Sequence, residues 1–151
     1  MEIKQADMAD LTEILILQKM AFLQEAKLYN NFTIQPLSQT IEEMKTEFES
    51  KVFLKTEIDS KIVGSVRANL DSNVCWVNKL MVHPDYQRQG IGKALLLEIE
   101  KHFPDVKKFL LGTGAKSKNN IRLYENIGYR IVKHDKFHDG VEAVLMEKVI
   151  E

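Results

Sequence analysis

The chain has 151 residues, enough for one domain built around one hydrophobic core. Hydrophobic residues make up 44% and charged residues 28%, with a formal net charge of −1, a balance that argues against disorder and gives no global pull toward nucleic acid or an anionic membrane. The opening Met1-Glu2-Ile3-Lys4-Gln5-Ala6-Asp7 is too charged for a secretory leader, and runs such as Ile14-Leu15-Ile16-Leu17 fall far short of a membrane span.

The single cysteine, Cys75, offers neither an internal disulfide nor metal-ligand spacing, so a reducing cytoplasm is the expected setting and no metal is expected. Met1 to Ala6 alternates and predicts a short strand. Asp10-Leu11-Thr12-Glu13 has a capping-box pattern that opens a helix to about Leu28, with Leu11, Ile14, Leu15, Gln18 and Phe22 on one side. Asn30 to Pro36 reads as a loop, after which Ser38 can cap a second helix to about Ser50. Three strands follow, Val52–Ile58, Ile62–Leu70 and Val74–Val82, separated by the turn residues Asp59-Ser60 and Asp71-Ser72-Asn73.

Beyond Val82 a polar loop leads into a helix from about Gly90 to Phe103, with Ile91, Leu95 and Ile99 at i+4 spacing and Pro104 as a stop. Phe109-Leu110-Leu111 is a short, wholly apolar strand of the kind buried on both faces. Ser117 can cap a helix ending at Gly128, and strands Tyr129–Lys136 and Glu142–Val149 close around Asp139-Gly140, a two-residue hairpin signal. The order is β-α-α-β-β-β-α-β-α-β-β, an α/β mixed sheet with helices on both faces, in a single domain spanning residues 1–151.

Charge is unevenly spread. Residues 106–138 carry roughly +6 and residues 1–60 are net acidic by about five. A basic half suits a polyanionic cofactor and an acidic half a cationic substrate, although solvated faces of mixed sign account for the same residues. The strongest chemical signal lies at Val82-His83-Pro84-Asp85-Tyr86-Gln87-Arg88-Gln89-Gly90-Ile91-Gly92-Lys93, where a strand feeds a loop and a glycine pair opens a helix. The first N–H groups of a helix lack intrahelical partners and carry the positive end of its dipole, so a phosphate can settle there once side chains are removed. Arg88 and Lys93 add full charges. A Walker A loop would need glycine in place of Gln87 and Ser or Thr in place of Ala94, and a dinucleotide fingerprint would need glycine in place of Leu95.

Gln87-Arg88-Gln89-Gly90-Ile91-Gly92 resembles the Gln/Arg-x-x-Gly-x-Gly/Ala signature of the GNAT acetyltransferases. The flanking Leu80-Met81-Val82-His83-Pro84 and Ala94-Leu95-Leu96 are similar to that family, as is the later stretch Asn120-Ile121-Arg122-Leu123-Tyr124-Glu125-Asn126-Ile127-Gly128-Tyr129. The resemblance implies a GNAT fold whose fourth and fifth strands splay apart. It implies acetyl-CoA as co-substrate, its pyrophosphate on the backbone amides of Gln87, Arg88, Gln89, Gly90, Ile91, Gly92 and Lys93. Its pantetheine arm would lie along the main chain of Leu80, Met81 and Val82, with Asn120 as a further contact. Tyr124 would stand beside the thioester sulfur as general acid, although an inward aromatic also serves core packing.

The acceptor implied is a small-molecule or peptide amine, with no role for nucleic acid or membrane and a homodimer left open. It would enter between Asn30–Pro36, the second helix and the Lys136–Gly140 turn. Many members of the family use a glutamate on the fourth strand as general base, where this chain has Asn78 and Lys79. Glu47, Glu49, His134, His138 or a water chain are the substitutes the sequence offers, and a CoA-binding module with lost catalysis is the alternative reading. His83 reads as a loop residue, and Cys75 and Trp76 should face opposite sides of the sheet.

Overall fold

A computed structural model describes all residues from Met1 to Glu151. Seven strands form one sheet: β1 (Ile3–Gln5), β2 (Val52–Ile58), β3 (Lys61–Asp71), β4 (Val74–Val82), β5 (Lys108–Gly114), β6 (Arg130–Lys136) and β7 (Glu142–Val149). The helices are α1 (Leu11–Tyr29), the single turn α2 (Gln35–Ser38), α3 (Ile41–Phe48), α4 (Ile91–Lys101) and α5 (Lys118–Ile127). The strand order is β1-β2-β3-β4-β5-β7-β6, antiparallel throughout except for the parallel β4–β5 pair.

Two apolar clusters lie on the sheet. One gathers Leu54, Val66, Leu95, Leu96, Ile99, Phe109 and Met146 beneath α4. The other gathers Leu11, Ile14, Leu17, Met44, Phe53 and Met81 beneath α1 and α3. A third, of Ala26, Ile34 and Val141, joins the end of α1 to the α1–α2 loop and the β6–β7 turn.

The feature that shapes the centre is the β4–β5 pair. It holds for Val74 opposite Lys108, Cys75 opposite Phe109 and Trp76 opposite Leu110, and then stops. β4 continues along β3 to Val82, and β5 continues along β7 to Gly114, so the two strands part as the resemblance implied. β4 also carries a bulge: the ladder runs Arg67 opposite Asn78 and then Ser65 opposite Met81, with Lys79 in left-handed backbone at φ 53. An extra residue of this kind re-aims the side chains beyond it.

The elements lie where the sequence suggests, but several of the capping signals do not. The capping box at the start of α1 sits one turn early. Asp7 and Asp10 cap a short 3-10 turn, with Ala9 N–H donating to Asp7 at 3.2 Å and Asp7 N–H to Asp10 at 2.9 Å. The Glu13 carboxylate instead accepts from Ile62 N–H at 2.7 Å and ties α1 to β3. Ser38 does not cap the second helix; its hydroxyl donates back to the carbonyls of Thr33 and Ile34, and Thr40 with Glu43 forms the capping box of α3. Ser117 makes no cap bond to α5. The last hairpin turns over Phe137–Val141, closed by Phe137 N–H to Val141 C=O at 2.9 Å, a longer loop than Asp139-Gly140 alone suggests.

Candidate active site

At the end of β4, His83 is buried, accepts from Asp85 N–H on Nδ1 at 3.1 Å and packs edge-on against Tyr86, which agrees with its reading as a structural loop residue. The chain then passes Arg88 at φ 65 and Gly90 at φ 82, both left-handed, before α4 begins. The first bond of α4 runs from Ala94 N–H to Gly90 C=O at 3.0 Å, which leaves the N–H groups of Ile91, Gly92 and Lys93 without partners inside the helix.

A Cβ at Gly90 would meet nothing within 4 Å, so the space over this helix end is open, and glycine there suits the backbone angle. A Cβ on Gly92 would instead face the protein, meeting Leu123 at 3.4 Å, Val82 at 3.8 Å and Leu80 at 3.9 Å, ordinary contact distances to α5 and β4.

These groups border a cleft of about 920 Å³ that runs from the α4 N-terminus past Leu80–Val82 to α1 and the start of α5. All the cofactor residues expected from sequence line it except Gln89. Five cations border it, Arg88, Lys93, Lys116, Lys118 and Arg122, against one carboxylate, Glu25. A chain of phosphates fits this combination of unpaired amides, helix dipole and cationic rim.

Tyr124 does not line the cleft wall; it is 8% exposed, with its ring 6.0 Å from that of Tyr129 in an edge arrangement. Burial, and then the Glu25 charge, push its phenol well above the ordinary value, so it stays protonated and keeps a hydrogen to donate. Ile121 and Ile127 pack against the same cluster, as an inward helix face requires. Asn120 is exposed at the cleft and its amide donates to Glu25 at 3.3 Å.

Across the sheet, under α1 and α3, lies a group of polar residues that sequence reasoning missed. Arg67 on β3 is fully buried. It donates to Glu47 at 2.6 Å and Gln18 at 2.5 Å, and its guanidinium lies 4.4 Å from the Phe53 ring centre. Gln18 donates to Gln39 and to Pro36 C=O, both at 2.9 Å, while Gln39 and Lys51 each donate to Glu47 at 2.8 Å. Only Arg67 Nε lacks a partner. Burial pushes the Glu47 carboxyl up, but the Arg67 charge and hydrogen bonds from Lys51 and Gln39 outweigh it and hold the group at about 2. Beside this network, burial and the Arg67 charge pull Lys79 down to about 8.

Four substitutes for a strand carboxylate therefore change standing. Glu47 is committed to Arg67, Lys51 and Gln39 and is too acidic to collect a proton near neutrality. Glu49, His134 and His138 are exposed, and none of the four lines the cleft. At the expected acceptor entrance the two loops touch, with Gln35 N–H donating to Asp139 at 3.4 Å and Ala26, Ile34 and Val141 packed together.

Cys75 is buried, and burial with the Glu100 charge pushes its thiol up to about 12, which leaves it unreactive. No group of three or more His, Cys, Asp or Glu side chains is arranged to hold a metal ion, and no helix is long and apolar enough to cross a membrane.

The fold and the loop-helix junction define an acyl-CoA-type transferase scaffold, and comparison with known proteins places the chain within it. The family model described as "Acetyltransferase (GNAT) domain" matches residues 20–150, so the chain belongs to the GNAT acetyltransferase family. The chain is 26% identical over 129 residues to the UPF0157 protein YqkA of Bacillus subtilis (strain 168), covering 85% of this chain and 37% of that protein. It is 37% identical over 59 residues to a protein of Yersinia pestis (strain Pestoides F) named "Acetyltransferase", covering 39% of this chain and 42% of that one. It thus spans about two fifths of the length of these curated relatives.

Among solved structures, the PaiA N-acetyltransferase of Thermoplasma acidophilum in complex with coenzyme A superposes with a TM-score of 0.85 at 20% identity, over 99% of this chain and 98% of that one. The ribosomal-protein-S18-alanine N-acetyltransferase of Escherichia coli superposes with a TM-score of 0.80 at 21% identity, over 99% and 94%. At these identities the likeness is one of fold.

Proposed function

We propose that the protein transfers an acetyl group from acetyl-CoA to an amine by direct attack. The observation that carries this reading is the junction at Gly90: three unpaired helix N–H groups under open space, at one end of a cationic cleft that leads to the β4–β5 gap. The pyrophosphate would rest on the amides from Gln87 to Lys93. The pantetheine arm would lie as an extra strand along Leu80–Val82, whose main chain no longer meets β5. Asn120 would contact that arm.

An acceptor amine with a pKa near 10.4 must lose a proton before it attacks, at a cost of roughly 4–5 kcal/mol at pH 7. The neutral amine would then attack the thioester carbonyl, polarised by main-chain N–H groups of the parted strand. Tyr124 would assist the leaving sulfur. Even an ordinary phenol, with a pKa of about 10 against about 8.5 for a thiol, would transfer its proton uphill by roughly 2 kcal/mol. Burial makes Tyr124 less acidic still, which favours a hydrogen bond to the sulfur over outright protonation. No covalent enzyme intermediate is required, and the inert Cys75 offers none.

Amine-dependent release of thiol from acetyl-CoA, measured with a polyamine, an amino sugar, a lysyl peptide and a free peptide N-terminus, tests this reading. Turnover of one of them is the expected result. Tight CoA binding with no amine-dependent release across the panel would instead make the chain a CoA-binding module.

A further inference from the structure

Proton removal from the acceptor has no assigned residue, and the carboxylate best placed by burial, Glu47, is committed elsewhere. Glu25, on α1, is the one carboxylate that lines the cleft. One oxygen accepts from the Ser117 hydroxyl at 2.6 Å and the other from the Asn120 amide at 3.3 Å. Both donors are neutral, and none of the cleft's five cations forms an ion pair with it. Each oxygen therefore keeps acceptor capacity for a further donor.

The carboxylate is also held in place from behind. Tyr29, one turn along α1, accepts from Lys116 N–H at 2.7 Å and lies 3.3 Å from the Ser117 hydroxyl. It occupies space that only a glycine at 114 leaves free, since a Cβ there would lie 2.1 Å from the Tyr29 oxygen. Lys116 holds its ammonium over the Tyr29 ring at 5.7 Å, directed at the aromatic face. The β5–α5 loop is thus clamped to α1 with the charge of Glu25 left unneutralised at the cleft.

Resting on the acyl-transfer reading, we propose that Glu25 captures the ammonium of the acceptor and takes its proton. The ammonium N–H bonds the carboxylate and passes one proton to it. The freed lone pair forms the C–N bond to the acetyl carbonyl, and the C–S bond breaks with its electrons going to sulfur. The second proton leaves the new amide nitrogen and ends on the thiolate, with Tyr124 donating a hydrogen bond to the sulfur meanwhile, and Glu25 returns its own proton to solvent. The two donors to Glu25, Ser117 and Asn120, lie just before and on α5, the helix that carries Tyr124. The acceptor class that follows is a cation, and the carboxylate is its sole counter-charge in a cleft otherwise suited to an anion.

The titratable groups around Glu25 are Tyr29 on its own helix, Lys116 and Lys118 on the facing loop, and Arg122 and Tyr124 on α5; Arg88 and Lys93 lie at the far side of the cleft.

The test uses Glu25→Gln, Glu25→Asp and Ser117→Ala, with the best amine of the panel as probe. Glu25→Gln should keep CoA affinity within about 3-fold, raise the KM for the amine, and lower kcat/KM by about 100-fold at pH 7. The deficit should shrink as pH rises toward the pKa of the amine, because the substrate then arrives neutral. Glu25→Asp should recover part of the loss, and Ser117→Ala should leave the shape of the pH profile intact. An unchanged amine KM and pH profile in Glu25→Gln would overturn the assignment. So would a loss that is uniform in pH and matched by weaker CoA binding, since that is the signature of a brace between helices. A wild type that releases no thiol with any amine would bring down the acyl-transfer reading itself, and this assignment with it.

Discussion

The two sides of the sheet are built on different plans. The β4–α4 junction is made chiefly of main chain: an exposed stretch from Gln87 to Gly90 with a left-handed glycine, then the first N–H groups of α4 without partners inside the helix. The wall under α1 and α3 is made of side chains: Gln18 of α1, Gln39 after α2, Glu47 of α3, Lys51 before β2 and Arg67 of β3, joined in one largely buried hydrogen-bonded set. The first can receive a ligand common to a whole family, because any sequence with the right backbone provides the same donors. The second depends on the identity of each side chain, so losing one member leaves buried polar groups of the others unpaired.

The largest expected effect breaks the second plan. Glu47→Ala leaves the fully buried Arg67 without its counter-charge and should cost about 3–5 kcal/mol in urea unfolding. The same pair gives the pH dependence. The folded-state pKa of Glu47 is depressed to about 2, so its stabilisation is fully present above 4.5 and fades as pH falls from 4.5 toward 2. Acid unfolding of the wild type should begin in that window, and Glu47→Ala should remove that part of the slope.

Next in size, Gly90→Glu puts a carboxylate and a Cβ at φ 82 into the open space over α4 and should weaken CoA binding by about 100-fold or more, read by calorimetry. The fold should survive, since nothing lies within 4 Å of the new Cβ. Unchanged affinity would remove the phosphate from this junction. Tyr124→Phe should then lower kcat by about 10- to 100-fold with CoA affinity nearly unchanged; a normal rate would return Tyr124 to core packing alone.

The smallest effect has the opposite sign. Lys79 has its folded pKa lowered from 10.5 to about 8, so its buried charge destabilises fully below 8, less between 8 and 10.5, and not above. Lys79→Met should therefore stabilise the protein by about 1–3 kcal/mol at pH 7, with the gain gone near pH 11. A gain independent of pH would assign it to packing.

What could be read from the residues follows the same division. β4 was placed at Val74–Val82 to the residue, and the junction was found because its signal is contiguous: a strand, a polar loop and two glycines within a dozen positions. Local chemistry also misled where two signals competed. Asp10-x-x-Glu13 and Asp7-x-x-Asp10 overlap, and Glu13 was taken by Ile62 from another element. Thr40-Ile41-Glu42-Glu43 carried the true cap of α3 and lay two residues beyond the serine that resembled one.

Gly92 lies in the first turn of α4, and the neighbours its side would meet, Leu123 and Leu80, come from α5 and β4 and cannot be read from the local motif. The Arg67 network and Glu25 left no local trace. Their partners are 20 and 49 residues away in one case and 92 and 95 in the other, and no spacing rule reaches that far.

Only Val74, Cys75 and Trp76 join β4 to β5, so the sheet is two plates meeting along a short weld. Motion of one plate against the other concentrates at that seam, where few main-chain bonds resist it. A molecule that lays an extended chain into the gap would act as an eighth strand from outside the sequence, and hydrogen exchange at Leu80–Val82 should slow on its arrival while the outer strands scarcely notice. In that sense the protein is finished by what it binds.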